Sequence, residues 1–370
     1  MTKRLTAVAV LVVMAAAGAW AQVTINPPVV TSAPDGVNIE NLNTAIRNAI
    51  RDDDGFQDTL EEAISTYTNL PLFAQGIADS GATSTHIGTQ RAFIDYTRFA
   101  VVVGTGFSTS IPGSDFSLLE KAVGQLEEGD LYFGAAFQPV VASVGFRPRF
   151  ISDRLYMNAK LGYADLSDIP GAEGFSYNAL SVGLLANYRL IESRSLPLGV
   201  VRWRGISLGS GVVYQRNELK VDLEFDLEPL EVEFDGIDNP EIRLTPVLTA
   251  VATSDSVVVP LEVTTGVRLA WLFDLNFGAG IDINFGNSNV SLDIASPVVL
   301  DDPTGELVVE PGSANVNAGT SGDGPAFVRP RLTGGFGLNL GPVKVDVPLM
   351  YYFDQDGNSF MAGVNVGIVF

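Results

Sequence analysis

The chain of 370 residues has no cysteine and one histidine, and those two shortages exclude more chemistry than any motif in it admits. Without Cys there is no disulfide framework, no thiolate nucleophile and no lipoprotein anchor. One imidazole cannot build a His-rich metal site, and a Ser/His/Asp or Asp/His centre would need that His on an outer loop or strand end. His86 instead lies in the small-residue stretch Gly81-Ala82-Thr83-Ser84-Thr85-His86, which reads as loop. Basic residues are also scarce, 22 against 43 acidic, for a formal charge of -21. So acidic a chain has no electrostatic case for binding nucleic acid. The Gly-x-Gly pairs, Gly104/Gly106 and Gly209/Gly211, have no Lys-Ser/Thr behind them, and Asp52-x-Asp54 lacks the Gly and the twelfth-position Glu of a calcium loop. The expectation is a protein with no metal and no cofactor that is not an enzyme.

Long apolar runs are missing too, apart from one at the start. Lys3 and Arg4 precede the apolar stretch Leu5–Gly18, too short to span a bilayer, and Ala19-Trp20-Ala21 offers small residues at a cleavage site. Residues 1–21 therefore read as a signal peptide for the general secretory route, leaving Gln22 as the mature amino terminus.

What the chain does have is alternation. At its end Phe360, Ala362, Val364, Val366, Ile368 and Phe370 share one face of a strand, opposite Met361, Gly363, Asn365, Gly367 and Val369. At roughly 3.3 Å per residue and a tilt of roughly 40°, the two end aromatics lie about 25 Å apart along the bilayer normal. Similar runs recur from about residue 91, including Phe99–Phe107, Leu155–Tyr163, Leu180–Leu190, Leu261–Leu269, Leu275–Phe285 and Val343–Phe353. Tight links (Ser152-Asp153, Trp271-Leu272, Leu340-Gly341-Pro342) alternate with long segments at 108–130, 165–176 and 286–326, the asymmetry of periplasmic turns and outer loops. About ten strands are plain. Leu230–Phe234 with Leu244–Ala252, and Val290–Leu300 with Leu307–Glu310, would either add two pairs or form tall extracellular hairpins; the expectation is an all-β transmembrane antiparallel barrel of 12–14 strands.

Residues 22–90 do not read as barrel. Ile39, Leu42, Ile46, Ala49 and Ile50 recur at helical spacing, and a second helix is expected from Asp58, with Glu61 as its capping partner and Pro71 ending it. This segment is either a plug in the lumen or a small periplasmic appendage. On the inward parity lie Arg147, Arg149, Lys160, Arg189, Arg268, Arg329, Arg331 and Lys344, against Glu262, Asp282, Asp293 and Asp346. Three roles are open for these cations: attracting anionic solutes, holding the acidic run Asp52, Asp53, Asp54, Asp58, Glu61 and Glu62 of a plug, or bracing the wall through local ion pairs. Asp222–Asp235 alternates acidic with apolar residues and reads as an acidic extracellular hairpin.

The whole pattern resembles the Gram-negative outer-membrane β-barrel class, its most specific element being the last strand with Val366, Ile368 and Phe370 as an assembly signal. A helical segment ahead of a mid-sized barrel is similar in architecture to the long-chain fatty-acid transporter family, whose barrels carry an amino-terminal hatch; no binding residue is carried over. The resemblance implies a bacterial outer-membrane location, with outer-membrane lipid, the barrel-assembly machinery and a small-molecule solute as partners. The expected function is passive passage of small solutes, hydrophobic or anionic, restricted by the amino-terminal segment. The alternative is a surface-exposed structural or adhesin barrel acting through acidic extracellular loops.

Overall fold

The computed structural model describes residues 22–52, 70–93, 98–112, 134–167, 174–196, 200–224, 229–232, 240–302, 305–353 and 357–370. The expected signal peptide, the helix expected from Asp58, and Asp53, Asp54, Asp58, Glu61 and Glu62 lie outside them. Strands β1 (Gln22–Asn26) and β2 (Val29–Ser32) come first. Two helices follow, Ile39–Asp52 and Leu70–Ser84, then a 3-10 turn at Arg91–Phe93. The remaining strands are β3 (Phe99–Pro112), β4 (Gly134–Phe146), β5 (Leu155–Asp165), β6 (Phe175–Ile191), β7 (Arg194–Ser195), β8 (Val201–Glu224), β9 (Leu230–Glu231), β10 (Glu241–Leu244), β11 (Val247–Leu269) and β12 (Phe273–Asp301). They continue as β13 (Val308–Glu310), β14 (Gly312–Asp323), β15 (Val328–Leu340), β16 (Val343–Phe353) and β17 (Gly357–Val369).

Strands β3, β4, β5, β6, β8, β11, β12, β15, β16 and β17 pair in that order, all antiparallel, and β17 returns to pair with β3. The sheet is closed, so the ring has no edge and its strands need only lipid outside. The all-β transmembrane barrel is thus what the alternation leads one to expect, but ten strands close it, not 12–14. The difference lies in how β8, β11 and β12 continue beyond the ring.

On β12 the outward face runs Phe273, Leu275, Phe277, Ala279, Ile281, Ile283, Phe285 and then turns to Asn287, Asn289, Ser291 and Asp293. The inward face does the opposite: Asp274, Asn276, Asp282 and Asn284 give way to Val290, Leu292, Val298 and Leu300. One unbroken strand is therefore apolar-out below and apolar-in above. The apolar stretch from Phe273 to Phe285 rises about 30 Å at a tilt of roughly 40°, a bilayer's hydrocarbon thickness. On β11 the same exchange separates Leu261 and Val263, which face out, from Leu248, Ala250 and Ala252, which face in. Residues 247–252 and 290–300 are thus upper halves of the ring strands β11 and β12, as the tall-hairpin alternative has it, while Leu244 ends the short strand β10; 286–326 lies above the belt, built largely of β12, β13 and β14 rather than of loop.

Above the ring β14 pairs with the upper half of β12, and β1 pairs with β14. Strand β10 joins the top of β12, and β13 pairs with β2. The helix Ile39–Asp52 starts at Asn38, whose side-chain oxygen accepts from the amides of Glu40 (3.0 Å) and Asn41 (3.1 Å), satisfying two donors a helix start leaves open. Its buried face, Leu42, Ile46 and Ile50, packs with Val30, Ile242, Leu244, Val298, Leu300 and Ala314. These pieces form a small head with its own core above the upper mouth. At the opposite end lie the tight links and Phe370, whose carbonyl oxygen accepts from the amide of Arg98. Phe370, Ile368 and Val366 face outward there, Phe370 being 69 % exposed.

Candidate functional site

Among the described residues, polar side chains from many strands converge in the lumen, and residues 73–93 occupy it. From Gly76 to Gln90 every residue is buried. A helix lying on a surface buries one stripe, so fifteen consecutive buried positions mean enclosure on all sides. The composition suits the space. Leu70–Ser84 carries Ala74, Gly76, Ala78, Ser80, Gly81, Ala82 and Ser84, and a methyl group added at Gly134 of β4 would run into the backbone of Gly76. Pro71, expected to end a helix, stands in the first turn of this one, where its missing N–H costs nothing.

The charged contacts gather on the β11, β12, β15 and β16 side. Arg331 lies at the centre, donating from Nε to Asp282 Oδ1 (2.9 Å) and from Nη2 to Glu262 Oε2 (2.8 Å). Asp282 also accepts from Tyr352 Oη (2.6 Å), and its Oδ2 lies 2.6 Å from His86 Nε2. Arg91 Nε donates to both oxygens of Glu262 (2.9 and 2.8 Å), and Arg91 Nη2 lies 2.7 Å from His86 Nδ1. A guanidinium only donates, so Nδ1 must accept and the hydrogen sits on Nε2, pointing at Asp282. The geometry therefore defines a neutral His86 wedged between a cation of its own segment and an anion of the wall.

Arg329 extends this set upward, donating to the Asp79 carbonyl (2.9 Å) and Thr83 Oγ1 (3.0 Å), with its guanidinium 4.6 Å from the Tyr352 ring centre and 3.6 Å from the Asp79 carboxylate. Lower down Lys344 pairs with Asp274 (2.9 Å) and faces the Phe93 ring. Across the lumen the ammonium of Lys160 donates to the carbonyls of Thr85 and Ile87 (2.9 Å for Ile87). Those carbonyls lie just past the end of the Leu70–Ser84 helix, where the dipole is negative and acceptors are left over, so one cation satisfies both. Gln90 completes that side, donating to Ser143 Oγ (2.9 Å) and accepting from Tyr156 Oη (2.5 Å).

Of the eight basic residues singled out from parity, Lys160, Arg329, Arg331 and Lys344 are buried in this network. Arg268 is mostly buried near the lower rim, paired with Asp274 at 3.0 Å. Arg147 and Arg189 sit half-buried at that rim. Arg149 lies on the exposed turn after β4, 3.6 Å from Asp153, and does not line the lumen, because the strand ends at Phe146 ahead of Pro148. Asp293 faces outward above the belt. Asp52 belongs to the helix packed in the head, and the carboxylate that meets Arg329 is Asp79. Sequence reasoning missed Asp79 and Arg91; it read His86 as a polar residue in a loop, and His86 does lie in the turn after the helix, but buried between Arg91 and Asp282. The one readable signal for them was a run of Gly, Ala, Ser and Thr long enough to be a helix that must fit between walls.

Between the charged wall and Arg91 lies a cavity of about 30 Å³ lined by Arg204, Asn276, Thr333, Asp346 and Met350, room for a water or two. The wall has one thin seam. Strands β4 and β5 share six residue pairs, fewer than any other neighbours in the ring among the described residues. Above it the Tyr177 hydroxyl of β6 accepts from the Phe137 amide (2.9 Å) and donates to the Phe137 carbonyl (2.6 Å), closing the exposed backbone of β4.

A family model described as Lsa36-like matches residues 18–370. The chain belongs to the Lsa36-like family. A search of curated proteins finds no match. Among solved structures, this Lsa36-like chain is similar to the CymD monoaromatic hydrocarbon channel (10% identity, 80% of this chain and 93% of that one, TM-score 0.26). It is also similar to a Pseudomonas aeruginosa FadL homologue (11%, 80% and 94%, 0.27) and to the outer-membrane protease OmpT of Escherichia coli (10%, 75% and 98%, 0.33). The barrel assignment rests on the closed strand pairing and the apolar belt, which make this an outer-membrane-type β-barrel.

Proposed function

We propose that this protein is an outer-membrane barrel whose lumen is held shut by its own residues 73–93, and which passes small solutes only when that segment is displaced. The observation that carries the reading is the bonding of one continuous buried segment to strands β3, β4, β5, β11, β12 and β15 at once.

Displacement would uncover the wall's own charges without changing their sum, since the segment carries one anion, Asp79, and one cation, Arg91. Glu262 would lose Arg91 and keep Arg331, Arg329 would lose Asp79, and Lys160 would lose the carbonyls it binds. Among the described residues the vacated wall would present Lys160, Arg204, Arg268, Arg329, Arg331 and Lys344 against Glu262, Asp274, Asp282 and Asp346, a net positive lining, and rings of Lys and Arg favour anions. Anionic small molecules are therefore the solute class this reading favours over hydrophobic ones. Export by the general secretory route and assembly by the barrel-assembly machinery complete the proposal.

Planar-bilayer recording tests it. The intact protein should be closed most of the time, with rare anion-selective openings. Gly134→Leu, which occupies the space where Gly76 sits, should raise open time at least tenfold. If both proteins conduct nothing and vesicles containing either accumulate no anion, passage is wrong. A second reading, a surface protein for which the barrel is an anchor, is favoured by the tall upper halves of β8, β11 and β12. It predicts that trimming residues 216–256 abolishes binding to a partner while the ring stays folded.

A further inference from the structure

The enclosed segment has a direction, and the direction decides where the amino terminus is. Strand β3 starts at the tight-turn end and climbs. Against it, the segment descends. Gly76 lies by Gly134, which pairs with Ser110; the Ser80 carbonyl accepts from Ser108 Oγ (2.7 Å); Ile87 lies by Gly106; Gly88 lies by Gly104; and Phe93 packs on Ala100 and Val102. Six positions on β3, taken from top to bottom, meet five residues of the segment in increasing order without a reversal. The order on β12 agrees: Ala74 meets Ser288, His86 meets Asp282, and Phe93 sits by Lys344, the partner of Asp274.

Continued upward, the same order leads out of the ring. Phe73, Ala74 and Ile77 pack on Val221, Leu248, Val290 and Leu292, above the apolar belt. Leu42, Ile46 and Ile50 pack higher still, on Val298 and Leu300. Asp282 to Leu300 is eighteen residues of one strand, roughly 60 Å of path at about 3.3 Å each. The first strand, β1, is hydrogen-bonded into the sheet at this height, five residues in register with Ser313–Asn317 of β14. The amino-terminal head therefore lies at one end of the barrel, and its chain crosses to the other end through the lumen before the first wall strand begins.

The short turns mark the lower end as periplasmic, and the tall strands mark the upper end as external. We infer that the barrel is the conduit for its own amino-terminal segment: residues 22–52 cross the outer membrane inside the ring and are displayed on the cell surface, with residues 73–93 left behind as the stopper. This excludes both a periplasmic appendage and a plug built from the whole of residues 22–90. The outer face of the upper sheet is suited to water: Arg216, Glu218, Lys220 and Asp222 on β8 and Asn287, Asn289 and Asp293 on β12 stand where the lower strands carry apolar side chains. The inner face is covered by the helix Ile39–Asp52 and by Phe73, Ala74 and Ile77.

The absence of native cysteine makes the test clean. Single variants Asp35→Cys and Glu40→Cys sit on exposed positions of the head, Glu306→Cys on the upper connection after β12, and Asp153→Cys on a tight turn. Intact cells are treated with a membrane-impermeant maleimide, and labelling is compared with that after the outer membrane is opened. Asp35→Cys and Glu40→Cys should label in intact cells to at least half the level of Glu306→Cys, and Asp153→Cys only after opening. Labelling of both head positions only after opening overturns the inference, as does labelling of Asp153→Cys in intact cells. The result is independent of conductance, so a barrel that passes no solute can still display its head.

Discussion

Arg91→Met is the sharpest test of a stopper held by charge. Arg91 belongs to the enclosed segment, so removing it leaves every wall-to-wall bond intact. Glu262 keeps Arg331 at 2.8 Å, and Asp282 keeps Arg331 and Tyr352. Lost are the bifurcated contact of Arg91 Nε with both oxygens of Glu262, the donation to His86 Nδ1 and the contact with Thr89. Breaking a buried pair outright costs roughly 3–5 kcal/mol, but Glu262 retains one cation, so about 2–3 kcal/mol is the better figure, in the range of a hydrogen bond to a charged group. At about 1.4 kcal/mol per factor of ten, the displaced population should rise about 30- to 150-fold. The assay is single-barrel recording of open probability on the full-length variant, with thermal unfolding of the ring followed in parallel. The ring midpoint should move little while openings become frequent. An open probability within threefold of the parent, in a barrel that has folded, would refute the idea that this ion cluster holds the segment in place.

Other substitutions probe separate parts of the same closure. Lys160→Met leaves the Thr85 and Ile87 carbonyls without their cation, and should cost about 1–3 kcal/mol and raise open probability; an unchanged value would mean that the helix end is satisfied elsewhere. Tyr177→Phe removes the hydroxyl that bridges Phe137 across the thin β4–β5 seam, so exchange of the Phe137 amide hydrogen should accelerate about 5- to 150-fold, corresponding to roughly 1–3 kcal/mol, with no change at Val144 as internal reference. Mass spectrometry of protein recovered from outer membranes should find Gln22 as the first residue; an uncut chain would refute the signal-peptide reading.

The ring was legible because period-two alternation directly records a sheet with lipid on one side, and because tight and long links alternate. What the alternation could not reveal was that its meaning reverses. Leu275, Phe277 and Phe285 occupy odd positions and Val290, Leu292 and Val298 even ones, with Gly286-Asn287-Ser288-Asn289 between them reading as a turn. A strand that leaves lipid for water keeps its pleat while its apolar residues change face, so the parity break marks the membrane boundary and not a reversal of the chain. The lumen was half legible. Parity found Arg329, Arg331, Lys160 and Lys344, but their hydrogen-bond partners on the enclosed segment lie 73 to 250 residues away, and no local pattern links Asp79 or His86 to them. A small-residue helix has almost no amphipathic signature, because it has no solvent face to distinguish.

The boundary itself can be measured with one substitution made at three heights of β12. Ile281 faces lipid within the belt, where a lysine costs about 2–4 kcal/mol near the midplane of a barrel. Asn289 lies on the same outward parity eight residues on, above the belt, where a surface substitution should stay within about 0.5 kcal/mol. Leu292 is on the opposite parity and 6 % exposed, packed with Phe73 and Ile77, so lysine there buries an unpaired charge and should be disruptive again. The expected order of unfolding free energies for Ile281→Lys, Asn289→Lys and Leu292→Lys is therefore low, near parental, low. A barrel whose lipid belt extended to the top of β12 would instead penalise Asn289→Lys like Ile281→Lys. A free upper sheet with no packed head would tolerate Leu292→Lys. Either pattern would contradict a strand that serves lipid with one face and, a few residues later, a protein core with the other.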